Sequence, residues 1–79
     1  MNNLEVVKGQ VYKHFKGNIY KVLLIACDCE DLEKVVVYQD INNDDKIWVR
    51  KYNDFISKVD KNKYPDVLQE YRFELVDND

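Results

Sequence analysis

The sequence predicts a mainly β domain, either a small SH3-like antiparallel barrel or a strongly curled meander sheet, with one or two short helical turns. Three observations predict it. Four segments rich in Val, Ile, Tyr and Trp follow one another with short polar turns between them, the pattern of an antiparallel meander. Only two glycines and one proline punctuate the 79 residues, which leaves no flexible linker and no low-complexity tract. Segment 19–27 is apolar at both its odd and its even positions, as in a strand covered on both faces. Several short antiparallel strands in one small domain leave edges exposed, and curling into a barrel relieves them. The barrel is therefore the first expectation, and an open meander backed by a short helix the second.

Residues 1–8 begin polar and are expected to be partly frayed, with Val6 and Val7 free to dock; 9–76 form the single domain and 77–79 a tail. Strand one is expected over 10–15 and strand two over 19–27, joined at Lys16-Gly17-Asn18, where a glycine allows the positive φ that a tight turn needs. Strict alternation along strand two puts Tyr20, Val22, Leu24 and Ala26 on one face. After the polar loop 28–32, Val35-Val36-Val37-Tyr38 marks strand three over 33–39, and Ile47-Trp48-Val49 marks strand four over 46–51. Asn53 or Asp54 is placed to cap a helical turn over 52–56, from which Phe55 and Ile56 pack down. A short strand at 57–59, a solvated turn at 60–63 and a short helix over 64–70 with Pro65 at its first position follow. The last strand, 71–76, alternates with Tyr71, Phe73 and Leu75 inward. The expected core is Val22, Leu24, Val37, Val49, Phe55 and Phe73.

A domain of this length buries a little over ~60% of its unfolded surface, so the core is thin. Six Tyr, three Phe and one Trp compensate, since each ring can bury ~150–250 Å². The formal charge is −3 and the pI about 5.1. That disfavours generic nucleic-acid binding, although a local basic patch is compatible with it. The first residues have neither the basic flank nor the apolar stretch of a secretory signal, and no apolar run approaches the ~20 residues of a membrane span. Cys27 and Cys29 are too close in an extended strand to form a good bridge. A reduced, cytoplasmic setting is the expectation.

Tyr12-Lys13-His14-Phe15-Lys16-Gly17-Asn18 with Tyr20, then Val36-Val37-Tyr38-Gln39, Trp48-Val49-Arg50 with Phe55, Tyr64-Pro65-Asp66 and Tyr71-Arg72-Phe73-Glu74 form a recognisable series. It resembles a small bacterial family known as a domain of unknown function, numbered 1653, over about residues 9–76. The resembled family carries a histidine where Asp28 stands, a glycine-containing turn near Asn43, a proline at Lys51 and a glutamate at Asn53. The resemblance implies a bacterial or phage origin and brings no activity with it.

Most chemical constellations fall short. His14 is the only histidine, and nucleophilic catalysis would need it beside Cys27, Cys29 or Ser57 with an orienting carboxylate. Cys27-Asp28-Cys29 and one histidine offer three soft ligands where structural zinc uses four. Asp40, Asn42 and Asp44 imitate the start of a calcium loop, but Asp45 occupies the glycine position and Lys51 the twelfth. No catalytic residues, metal or cofactor are assigned.

One set remains. Trp48, Arg50 and Tyr52 share a face of strand four, Tyr12 and His14 share a face of strand one, and Tyr20 and Tyr38 lie on neighbouring strands. If these faces converge they form an aromatic wall with a fixed cation, suited to stacking a flat ring and forking to its phosphate or carboxylate. The bland alternative is that the rings are core and that Arg50 pairs with Glu33 or Asp54. The expected function is a non-enzymatic binding module for a planar anionic ligand such as a nucleotide. The alternative is a protein- or nucleic-acid-interaction domain using a sheet edge or a patch of Lys13, Lys16 and Lys21. Self-association through strand edges or an aromatic patch is also expected.

Overall fold

The structure is a computed structural model and describes residues 5–76. The start of the segment expected to fray (1–4) and the tail (77–79) lie outside the described residues. Five strands form one sheet: β1 (Val11–His14), β2 (Ile19–Cys27), β3 (Lys34–Asp40), β4 (Ile47–Lys51) and β5 (Phe73–Leu75). A single short helix, α1 (Tyr52–Phe55), leaves the end of β4. The order across the sheet is β4-β3-β2-β1-β5, with every neighbouring pair antiparallel. The meander runs out to β4, and the chain then returns past α1 to lay β5 against the far side of β1. At the β1–β2 turn Gly17 has φ +105°, and the His14 amide donates to the Asn18 carbonyl at 2.8 Å.

The sheet is strongly curled without closing into a barrel: β4 and β5 remain two separate edges. Neighbouring strands lie about 4.8 Å apart, so a flat sheet would hold β3 and β5 about 14 Å from each other. Yet the Tyr38 ring on β3 stands 5.5 Å from the Phe73 ring on β5. The Arg50 guanidinium on β4 lies 5.9 Å from that same ring, linking side chains of the two edge strands across the concave face. The curl is wrapped around rings. Phe55 of α1 stacks on Phe73 at 4.0 Å with planes 5° apart, and Tyr12 and Tyr38 meet Phe55 edge-on at 5.2 and 5.4 Å. Val6, Val22 and Val36 complete this core, so the N-terminal segment docks through Val6 and leaves Val7 exposed.

A bulge decides which face of β2 is inside. Val22 pairs with Tyr38 but Leu24 pairs with Val37, so Leu23 is an extra residue in the ladder. Alternation inverts there. Before the bulge Tyr20 and Val22 face the core; after it Ile25, opposite Val36, does so. Leu24 is turned to the convex face and is 45% exposed, against the expectation that it is buried. Val49, opposite Val37 on the same convex face, is likewise 65% exposed, and Val37 is only half-buried. Of the expected core, Val22, Phe55 and Phe73 are buried as the pattern requires.

The return from α1 to β5 is less regular than its sequence suggests. No side chain caps α1: the helix begins at Tyr52, so Lys51, which has no acceptor, holds the cap position and the expected Asn53 and Asp54 lie inside the helix. The expected strand at 57–59 is a single bridge between Lys58 and Tyr71. The expected helix over 64–70 does not form. Leu68 is 98% exposed and gives it no apolar face to bury. Side chains hold this loop instead: Lys61 Nζ donates to the Val67 and Gln69 carbonyls, and the Gln69 amide donates to the carbonyls of Tyr71 (2.8 Å) and Lys13 (3.1 Å). Tyr71 is half-buried and Leu75 is 48% exposed, so Phe73 alone carries the inward face of β5. At the opposite end Lys51 Nζ lies 3.3 Å from Asp28 and 2.5 Å from Asp31, tying β4 to the β2–β3 turn.

Candidate functional site

The concave face does not end at the core. Beyond Phe55 and Phe73 it opens into a cavity of about 310 Å³ lined by His14, Lys16, Asn18, Tyr20, Tyr38, Trp48, Arg50 and Phe73. Strand parity places these groups. Trp48 and Arg50 pair with Tyr38 and Val36, both on the concave side, while His14 pairs with the core residue Phe73. Lys16 and Asn18 come from the glycine turn at the end of β1. Four of the five residues singled out in the sequence (His14, Tyr38, Trp48 and Arg50) are brought together here. Tyr12 is not among them. It is fully buried beneath Phe55, with its hydroxyl donating to Gln10 at 2.8 Å, and burial pushes its pKa up to about 12. Its parity was right; its position is one step deeper, at the centre of the core rather than its mouth.

Arg50 is held at two points. Its Nε donates to the Tyr38 hydroxyl at 3.2 Å and its Nη1 to Asp54 Oδ2 at 2.6 Å. Burial alone would lower its pKa, but the bonds to Tyr38 and Asp54 outweigh that and raise it. The expected pairing with Asp54 is present. Asp54 also serves Arg72, whose Nη2 lies 3.6 Å from Oδ1. One carboxylate therefore faces two guanidiniums, and Lys16 adds a third positive charge nearby. Asp40, across from Tyr20 on β3, is near enough to raise the tyrosine's pKa after desolvation, but among the described residues no carboxylate lines the cavity itself. In a chain of net charge −3, this concavity is locally positive.

His14 registers that field. Desolvation first, and then the charges of Arg50, Arg72 and Lys16, lower its pKa to about 4, so it is neutral at pH 7. The Lys16 amide donates to Nδ1 at 3.1 Å, which leaves the ring's own proton on Nε2. The ring is wedged against Phe15 at 4.4 Å and edge-on to Phe73 at 4.9 Å. Tyr20 meets Tyr38 edge-on at 5.2 Å, and Trp48 is 46% exposed at the rim. A neutral donor, a tethered guanidinium and exposed ring faces can hold an anion and stack a flat group beside it.

Sequence reasoning placed Lys16 in a surface patch with Lys13 and Lys21, but those two face the convex side while Lys16 lines the cavity. Phe73 enters the site because β5 pairs with β1, a contact between residues far apart in the chain. Tyr20, which the sequence sets beside Tyr38, lines the cavity, whereas Tyr52 begins α1 and its hydroxyl accepts from the Val6 amide at 2.9 Å instead. Both cysteines are free and exposed. Among the described residues no three His, Cys, Asp or Glu side chains gather as metal ligands, and no helix is long and apolar enough to cross a membrane.

The chain matches the family described as "Protein of unknown function (DUF1653)" over residues 10–75, which takes in all five strands and the whole cavity lining. No curated protein matches the chain, and no solved structure does.

Proposed function

We propose that this chain, which belongs to the DUF1653 family, is a non-enzymatic binding module whose concave cavity takes a planar anionic ligand of the nucleotide class. The observation that carries this reading is the composition of the lining: Trp48, Tyr20 and Tyr38 beside Arg50 and Lys16, with no carboxylate among them. The base stacks against Trp48 at the rim, and the phosphate takes the guanidinium edge of Arg50 that Tyr38 and Asp54 do not use. His14 supplies a neutral Nε2 donor. Among the described residues no serine, threonine or cysteine lines the cavity, and His14, neutral and bonded at Nδ1, has no nucleophile among them to activate, which favours binding over catalysis. Two exposed free thiols suit a reduced, cytoplasmic setting.

Titrating mono- and dinucleotides while following Trp48, the only tryptophan, tests the reading. Saturable quenching is expected with at least one member, largely retained in added salt. Arg50→Lys keeps the charge but loses the planar fork, and should weaken binding by roughly tenfold, while the lost bond to Tyr38 lowers stability by only about 1 kcal/mol and leaves the protein folded. Silence from every member at millimolar concentration, in folded protein, overturns it. Binding that instead grows with oligonucleotide length and collapses steeply with salt would identify single-stranded nucleic acid as the ligand.

A further inference from the structure

β4 is an edge strand whose charges, Arg50 and Lys51, are gathered at one end and whose centre is apolar. Among the described residues it pairs only with β3; it contains neither proline nor bulge, and its one inward charge, Arg50, is neutralised by Asp54. Ile47, Trp48 and Val49 are 52%, 46% and 65% exposed along it. Its backbone is also poised outward. The Asp40 amide donates to the Lys46 carbonyl at 2.9 Å, which marks that pair as hydrogen-bonded. Antiparallel pairs alternate between bonded and unbonded, so Trp48 and Arg50 bond to β3, whereas Ile47, Val49 and Lys51 aim their amides at solvent.

We propose that β4 pairs with β4 of a second copy of this chain, antiparallel, about a two-fold axis through Val49. This register follows from the strand itself. It sets Val49 against its own copy, so that the two exchange both backbone hydrogen bonds. It brings the Lys51 amide to the carbonyl of Ile47 of the partner subunit. On the concave face Trp48 falls opposite Arg50 of the partner subunit, a ring facing a cation, and no like charges are directly opposed within the strand. On the convex face the row Leu24, Val37, Val49, which crosses three strands and is open to solvent at Leu24 and Val49, runs on into its own continuation. The two five-stranded sheets become one. Each cavity gains Trp48 of the partner subunit beside its own Arg50, so the rim is completed only in the pair.

Sedimentation equilibrium of the full chain should give about twice the 9.5 kDa chain mass, falling to the single mass in Val49→Lys. That change sits at an exposed position, so circular dichroism should be unaltered, melting should match the parent's at concentrations where both are single chains, and Leu75→Lys on the other edge should leave the pair intact. In a Cys27→Ser, Cys29→Ser background, Val49→Cys should oxidise to a linked dimer, because facing Cα atoms of a bonded pair lie about 5.5 Å apart. Ile47→Cys, which faces Lys51 of the partner subunit, should link far less. A single chain mass across a hundredfold concentration range overturns the proposal. So does a dimer that survives Val49→Lys or yields to Leu75→Lys, and so does linkage at Ile47 as efficient as at Val49.

Discussion

The two faces of this sheet are built from the same strands and are almost equally apolar in sequence, yet they have opposite fates. The concave face carries Tyr12, Val22, Val36, Tyr38 and Phe73, all buried against α1 and one another. The convex face carries Leu24, Val37 and Val49, of which Leu24 and Val49 are open to solvent. Curvature makes the difference. Rings on the inside of a curl converge until Phe55 and Phe73 stack at 4.0 Å, whereas side chains on the outside diverge, so that Val35 is buried but Leu24 and Val49 are left open. Hydrophobicity thus nominates both faces, and curl selects one as core. The unselected face, continuous with the bare edge of β4, is the surface left for association.

The largest effect expected of a break in this comparison is at the inside of the curl. Phe73→Ala removes a ring that touches Phe55, Tyr38, Tyr20 and His14. It should cost about 3–5 kcal/mol in denaturant unfolding, and it should open the cavity floor as well. A cost below about 1 kcal/mol would mean that the rings do not hold the curl. Leu24→Ala, the matching change on the outside, should cost about 1 kcal/mol or less, because nearly half of that side chain never leaves water. A loss of several kcal/mol would show Leu24 to be covered after all. Smaller still is the stability effect of Val49→Lys, within about 0.5 kcal/mol when unfolding is followed at concentrations where the protein is a single chain.

Much of this was legible beforehand, and the failures share a cause. Strand two was bounded at 19–27 as found, because a long apolar run between a glycine turn and an acidic loop is a local signal. Arg50 and Trp48 were placed on one face by alternation alone, and β4 is regular enough for that to hold. Leu24 was misplaced because one extra residue at Leu23 inverts alternation, and nothing in Val22-Leu23-Leu24 announces it. Tyr12 was assigned to the cavity because parity says which face a residue is on, not how deep. Depth depends on Phe55 and on β5, which reach Tyr12 only through contacts distant in sequence. Openness of the sheet was undecidable for the same reason. Closure would require β4 to meet β5 through backbone bonds, and what bridges them instead is the Arg50 side chain over Phe73.

The concave cavity is claimed as an anion site, and its single histidine is the natural reporter. Free His14 is expected to titrate at about 4, against 6.5 for an unperturbed ring, because it is desolvated and faces Arg50, Arg72 and Lys16. Between those values the unfolded chain binds more protons than the folded one. The contribution of neutral His14 to stability is therefore complete above about pH 6.5 and is lost as pH falls towards 4. The direct measurement is an NMR titration of the His14 ring with and without a saturating nucleotide. The account predicts a low midpoint in the free protein that moves upward when the phosphate neutralises the cations around the ring. A midpoint near 6.5 in the free protein, or one that does not move when nucleotide is present, would contradict it.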